Sequence, residues 1–264
     1  MQENGNDYAI KSVMKAVQML KLVASNSPAT FTELLEQSPF PKATAFRLIY
    51  TLEAAGLIEC RDGKYVLSSL LLELGLNAKN QLGFGSISRG LLESLGETLN
   101  ETVNLGILNE ASQVVYIDKV VNNRLLRVDY PIGFSVPSYC TALGKAILAY
   151  LPADARETHL QQIGKRWSVP IESLRAELTR IRRCGYAIDD RELDESLRCI
   201  AFPIFDNSQV VAAVSISGPA HRLSRDDLVD FAPLGLQTAE EISKQIGCSR
   251  YKELIREGIH NEDR

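Results

Sequence analysis

Residues 185–218, GYAIDDRELDESLRCIAFPIFDNSQVVAAVSISG, constrain the fold more tightly than any other stretch. They read as three short strands: Tyr186 to Asp189, Leu197 to Phe205 and Val210 to Ser217. Asp206-Asn207-Ser208 is a hairpin signal between the last two. Successive side chains in a strand point to opposite faces. Val210, Ala212, Val214 and Ile216 therefore share a wholly apolar face, whereas Val211, Ala213, Ser215 and Ser217 share one that ends small and polar. On the neighbouring strand Leu197, Cys199 and Ala201 share a face. Small side chains on adjacent strands leave room above a sheet. A floor of two hydroxyls and a thiol, with Asp189 beside it, could hold a small polar molecule. The plainer alternative is a set of small residues packed beneath a helix.

Residues 8–67 follow a different pattern. Ala9 to Ala24 has helical spacing, with Val13, Ala16, Val17, Leu20 and Val23 as the expected buried stripe. Thr32 to Gln37 reads as a short second helix with Thr32 as its cap, followed by the turn Ser38-Pro39-Phe40. Pro41 to Ala55 is a third helix, with Pro41 in its first turn and Gly56 closing it. Leu57 to Cys60 and Lys64 to Leu67 form a hairpin across Arg61-Asp62-Gly63. Three helices with a tight turn before the third, then a hairpin, make a winged helix-turn-helix. At about 100° per residue, Ala45, Leu48, Ile49 and Leu52 fall on the core side of the third helix. Ala43, Arg47, Tyr50 and Ala54 lie opposite, with Lys42 and Thr44 flanking them near the N-terminus, the end that usually meets base edges. Arg61 and Lys64 in the wing suit backbone phosphates. Charge does not carry this reading. Residues 1–67 hold seven Lys/Arg and seven Asp/Glu, and the whole chain has a net charge of -4. The position of the cationic residues has to carry it instead.

Both regions resemble the IclR family of bacterial transcriptional regulators. Gly185, Asp189, Glu192, Cys199-Ile200-Ala201 and Ile204-Phe205-Asp206 fall at the spacing of that family's signature. The segment from Ser12-Val13 to Leu20, and Pro41-Lys42-Ala43-Thr44-Ala45-Phe46-Arg47-Leu48, resemble its DNA-binding domain, with Ala43 where the family usually has serine. The likeness runs from about Lys11 to Gly247. It implies an α+β protein with a winged helix-turn-helix at 8–67, a linker helix at 68–82 that helps pair the DNA-binding heads, and a GAF-like effector domain at 83–250. It also implies an effector pocket around Ala142, Leu143, Asp189, Leu197, Cys199, Ser215 and Ser217.

The chain between these regions is compatible with that layout. Ser68 to Gln81 is a leucine-dense helix, too apolar to stand alone in water. Ile87 to Leu99 is a helix with Leu91, Leu92, Leu95 and Leu99 on its core side. Strands are expected at Glu101 to Leu108, Val114 to Val120 and Leu125 to Tyr130, and helices at Thr141 to Leu151, about Ala153 to Ile163, Ser173 to Cys184 and Ser224 to Ile246. Two blocks of three strands suggest a largely antiparallel six-stranded sheet with helices against it. Asn261 to Arg264 reads as a loose tail.

These features point to a ligand-responsive regulator that binds double-stranded promoter DNA as a homo-dimer or tetramer. Thr141 is a good N-cap, which would leave the amides of Ala142 and Leu143 to attract an anion, so a small organic acid is the expected effector. Leu125, Val128 and Val136 are candidates for an apolar wall. Five scattered cysteines without a Cys-x-x-Cys pair suit a cytoplasm, and no run of 18 apolar residues would span a membrane. No cofactor, metal or catalytic residue is expected. An enzyme would need to use the second-domain pocket, with Cys199 as nucleophile, but no histidine lies near it in sequence. A third possibility is a winged helix that binds protein rather than DNA.

Overall fold

The computed structural model describes residues 9–81, 83–84 and 88–260. Gly85, Ile87 and the tail Asn261 to Arg264 lie outside the described residues. The chain forms two compact units, Met1–Leu82 and Gly83–Arg264.

The first unit contains α1 (Lys11–Asn26), α2 (Phe31–Glu36), α3 (Lys42–Ala54), β1 (Ile58–Arg61), β2 (Lys64–Leu67) and α4 (Ser69–Gln81). Met19, Val23, Leu34, Ala45, Ile49, Leu52 and Ile58 make its core. The buried stripe of α1 is Ala16, Met19, Leu20 and Val23, an i, i+3, i+4, i+7 set. Val13 and Val17, expected in that stripe, are 54% and 43% exposed because the face that meets α3 is rotated past them. The cap of α2 is Thr30 rather than Thr32. Thr30 accepts from the Glu33 amide while the Glu33 carboxylate accepts from the Thr30 amide, which satisfies two end donors at once. β1 and β2 pair antiparallel with Arg61 opposite Lys64. Asp62 and Gly63 between them both have positive φ (51° and 76°), the geometry a two-residue hairpin turn requires and glycine supplies without strain. In α4 none of the residues is buried, and Leu72, Leu74 and Leu76 are exposed.

The second unit begins with α5 (Arg89–Leu99), β3 (Thr102–Leu108), β4 (Gln113–Val120), β5 (Ser135–Pro137) and α6 (Ala142–Tyr150). It continues with α7 (Ala153–Trp167), α8 (Ile171–Cys184), β6 (Ala187–Asp190), β7 (Leu197–Phe205), β8 (Val210–Pro219), α9 (Arg225–Asp230), α10 (Ala232–Gln245) and α11 (Tyr251–His260). One six-stranded sheet runs β5-β4-β3-β8-β7-β6, with every neighbouring pair antiparallel. The apolar face of β7 and β8 meets α10, where Gly235 lies so close to the Phe202 ring that a Cβ would fall 2.0 Å from it. The opposite face is crossed by α6, whose Leu143 reaches Gly106 of β3.

Three sequence expectations are corrected in this unit. Leu125 to Tyr130 is not a strand; the edge strand is Ser135–Pro137, with Val136 opposite Val114. The run of apolar residues there belongs to a loop fastened by side chains. Thr102 Oγ1 donates to Val128 O (2.8 Å), Lys119 Nζ donates to Tyr130 O (2.8 Å), and Tyr130 stacks between Tyr116 and Phe134. Leu125 is fully exposed and forms no wall. The helix expected from Ser224 to Ile246 is two helices, α9 and α10. Pro233 in the first turn of α10 has no amide to continue a ladder from α9. The fold also continues past residue 250, since α11 inserts Tyr251 into the core beside Phe205.

Candidate functional site

The strand register brings strand residues expected around an effector into adjacent rows. Asp189 pairs with Cys199, Cys199 with Ser217, and Ser217 with Thr102. The next row runs Ala187, Ala201, Ser215 and Asn104. Directly paired residues point to the same side of a sheet, so these two rows form a polar patch on the face that α6 crosses. All seven residues expected around an effector (Ala142, Leu143, Asp189, Leu197, Cys199, Ser215 and Ser217) are buried. Thr141 is the N-cap of α6, accepting from the Gly144 amide at 3.2 Å. The amides of Ala142 and Leu143 then stand in the first turn, where a helix has no internal acceptor for them. Gly144 is essential to this placement, because a Cβ there would fall 2.2 Å from Ser138 O.

Two buried oxygens on this face have no hydrogen-bond partner among the described residues: Asn104 Oδ1 and Asp189 Oδ2. Asn104 Nδ2 donates to Ser217 Oγ at 3.2 Å, and Ser215 Oγ lies 3.5 Å from Ser217 Oγ. Asp189 Oδ1 accepts from the Glu192 amide at 2.8 Å. Burial pushes the Asp189 carboxyl up to about 7, against those amide bonds. Near neutral pH it is therefore partly protonated and able to donate from its second oxygen. The thiols remain protonated. Burial, reinforced by Asp189, pushes Cys140 up to about 11 and Cys199 well above the ordinary thiol range.

Sequence reasoning missed three residues here. Lys145, fully buried in the middle of α6, reaches Glu177 of α8 (2.7 Å) and Glu192. Through Glu192 it ties α6 to the turn that holds Asp189. The signal was a lone lysine in the otherwise apolar run ALGKAILAY. Asn104 was equally visible as an amide in TVNLGIL, a strand whose first five residues are buried. Tyr116 pairs with Gly106 on the pocket face and begins the stack with Tyr130 (5.4 Å) and Phe134 (5.5 Å from Tyr130). That stack needs a loop closure the sequence does not reveal.

The first unit presents a different kind of surface. Lys42, Ala43, Arg47 and Tyr50 of α3 are exposed and Thr44 is half-buried, while Ala45, Ile49 and Leu52 fill the core. Pro41 caps α3 without a side-chain bond, and the Thr44 amide donates to Pro41 O at 2.9 Å, so the amides of Lys42 and Ala43 are the first-turn donors a phosphate could meet. Phe46, also missed, is 58% exposed and packs edge-on against Phe31 at 5.9 Å. At the wing, Lys64 is exposed, and Arg61 lies in a surface ion pair with Glu59 at 2.7 Å.

A winged helix-turn-helix followed by a sheet domain with a buried polar patch defines a sensor-type DNA-binding regulator. Comparison with known proteins makes the assignment specific. The family model described as bacterial transcriptional regulator IclR C-terminal matches residues 79–244, and the IclR helix-turn-helix domain matches 12–62. The HTH-type transcriptional regulator KdgR of Escherichia coli (strain K12) is 32% identical over 251 residues, covering 92% of this chain and 95% of that protein. The crystal structure of Thermotoga maritima IclR is similar at 28% identity and a TM-score of 0.67, covering 90% of this chain and 100% of that one. An IclR homolog from Microbacterium hydrocarbonoxydans, complexed with 4-hydroxybenzoate, shares the fold at 20% identity and a TM-score of 0.74, covering 89% of this chain and 99% of that one. The chain belongs to the IclR family and is a DNA-binding transcriptional regulator of the IclR type, with an effector-binding C-terminal domain. Among the described residues no helix is long and apolar enough to cross a membrane.

Proposed function

We propose that this regulator senses a small organic acid on the polar face beneath α6, and that the acid changes its affinity for promoter DNA. The observation that carries this reading is the unpartnered Asp189 Oδ2, buried in the same cross-strand row as Cys199 and Ser217. A buried polar oxygen without a partner costs free energy unless a ligand or water supplies one. An acid fits the surrounding donors: the Ser215 and Ser217 hydroxyls, the first-turn amides of Ala142 and Leu143, and Asp189 itself when protonated. Leu197 and Cys199 bound the patch with apolar and weakly polar surface. Because burial keeps the Cys199 thiol protonated, it is a poor nucleophile, which favours a binding pocket over a catalytic one. The 4-hydroxybenzoate bound by the Microbacterium homologue makes aromatic acids a sensible class to include among the probes.

At the other site, Lys42, Ala43, Thr44, Arg47 and Tyr50 face the major groove, with Arg61 and Lys64 on flanking phosphates. The exposed leucines of α4 suit pairing of two copies, so the regulator works as a dimer or tetramer on a pseudo-palindromic site. The linker role of residues 68–82 and a cytoplasmic location belong to the same reading. Effector and DNA are then reciprocally coupled.

The test is calorimetry of the full chain against hydroxy-, keto- and aromatic carboxylic acids and their neutral amides. Acids should bind and amides should not. Ser215→Ala and Ser217→Ala should each weaken the acid while DNA affinity without ligand stays unchanged. Equal binding of acids and amides, or normal binding by both serine variants, would overturn the acid reading.

A further inference from the structure

A second cluster of charge lies between α7 and α8, away from the polar rows of the sheet. A cleft of about 260 Å³ is lined by Arg156, Leu160, Arg175, Leu178, Thr179 and Arg182. Arg156 Nη1 and Arg182 Nη1 both donate to Ala149 O, at 3.5 and 3.2 Å, so two guanidinium groups are held side by side. Arg156 also donates to Leu151 O at 3.2 Å. These bonds satisfy carbonyls at the end of α6, where cations are favoured. Two adjacent guanidinium groups nevertheless repel each other, and Arg175 adds a third. Arg175 is balanced by Glu157 (2.6 Å) and more loosely by Glu172 (3.5 Å), both on exposed side chains. Burial, together with the neighbouring arginines, lowers the proton affinity of Arg156 and Arg182. Leu160 and Leu178, both buried, give the cleft a low-dielectric wall that strengthens its field.

We propose that this cleft is a second ligand site, one that takes a small phosphate monoester. Convergent guanidinium groups on two helices suit a tetrahedral dianion with three acceptor oxygens better than a planar carboxylate, which one arginine fork can satisfy. The cleft is smaller than a typical drug-sized pocket, so the ester must be small. The bound dianion would exchange with the exposed Glu157–Arg175 pair, the weakest kind of ion pair.

Calorimetry of the full-length protein at low ionic strength, with inorganic phosphate, glycerol phosphate, sulfate and acetate as probes, tests this. Glycerol phosphate should bind at one site per chain and more tightly than the other three. Its binding should strengthen between pH 5 and 8 as the monoester takes its second charge near pH ~6, while sulfate binding stays flat. Arg156→Gln and Arg175→Gln should each weaken glycerol phosphate by about tenfold or more. Arg175 makes no cap to α6, so its variant keeps the test valid if Arg156→Gln unfolds. Arg183→Gln, which removes an exposed charge from the same helix, should change binding less than ~twofold, since surface charges contribute little. Ser217→Ala should not affect it, which separates this site from the sheet pocket. Equal loss in Arg183→Gln would indicate a diffuse field rather than a site and overturn the proposal. So would unchanged binding in Arg175→Gln, or no preference for the ester over sulfate.

Discussion

The proposed recognition surface on α3 and the polar patch beneath α6 are built in opposite ways. On α3 the candidate DNA-contact side chains come from one helical turn after another, lie on the outward side, and rest on a core of Ala45, Ile49 and Leu52. Under α6 they come from β3, β6, β7 and β8, residues as far apart as Asn104 and Ser217, and they point inward. A surface reader needs a rigid scaffold and free tips. A buried sensor needs its polar groups desolvated in place, and that leaves Asp189 and Asn104 with unsatisfied oxygens. The contrast implies that substitutions in the pocket act through packing and protonation, whereas those on α3 act through DNA contacts alone.

The largest effect should come from Gly144→Ala. A Cβ 2.2 Å from the Ser138 carbonyl cannot be absorbed by moving a flexible side chain. The start of α6 must shift off the segment after β5, at a cost of about 3 kcal/mol. Thermal unfolding should show a large loss of stability with the acid site gone. A variant as stable as the parent would mean that the N-terminus of α6 is not fixed by this contact.

Next in size is the pH dependence from Asp189. Its carboxyl is raised from 3.8 to about 7, so the folded state binds the proton more tightly than the unfolded chain. The stability linked to that proton is fully present below about pH 4 and is lost as pH rises through about 7. Between pH 5 and pH 8 the parent should lose ~2–3 kcal/mol relative to Asp189→Asn, which has no proton to lose. Denaturant melts at the two pH values measure this difference. Parallel pH profiles for the two proteins would show that Asp189 is ionised in the folded state throughout.

The smallest effects belong to the first unit, where stability should scarcely change. Arg47→Ala should weaken specific DNA binding by ~1–3 kcal/mol if Arg47 reads a base. Lys64→Ala should weaken binding to all sequences alike and lower the salt slope by about 1. Gel-shift titrations over a range of salt separate the two. If Arg47→Ala behaved like Lys64→Ala, Arg47 would be a phosphate contact and base reading would rest on its neighbours.

What the sequence determined by itself was set by local periodicity. The exposed and buried sides of α3 followed from a helical wheel. The wing turn followed from Arg61-Asp62-Gly63, of which Arg61 in fact ends β1, and the limits of β7 (Leu197–Phe205) from a hairpin signal and an apolar run. The alternation of Ser215 and Ser217 with Val214 and Ile216 fixed which side of the sheet would be polar. Each of these depends on backbone geometry within a few residues, which any sequence carries openly. Tertiary structure alone decided the rest. Leu125 to Tyr130 has the composition of a strand, yet bonds from Thr102 and Lys119 hold it as a loop. Met19, not Val13, is buried because the position of α3 determines which side of α1 is covered. Lys145 and Asn104 acquired their roles from Glu177, Glu192 and Ser217, partners 32 to 113 residues away. A buried charge or amide is tolerated only where such partners converge, and that convergence arises from the packing of the whole domain rather than from any single stretch of the chain.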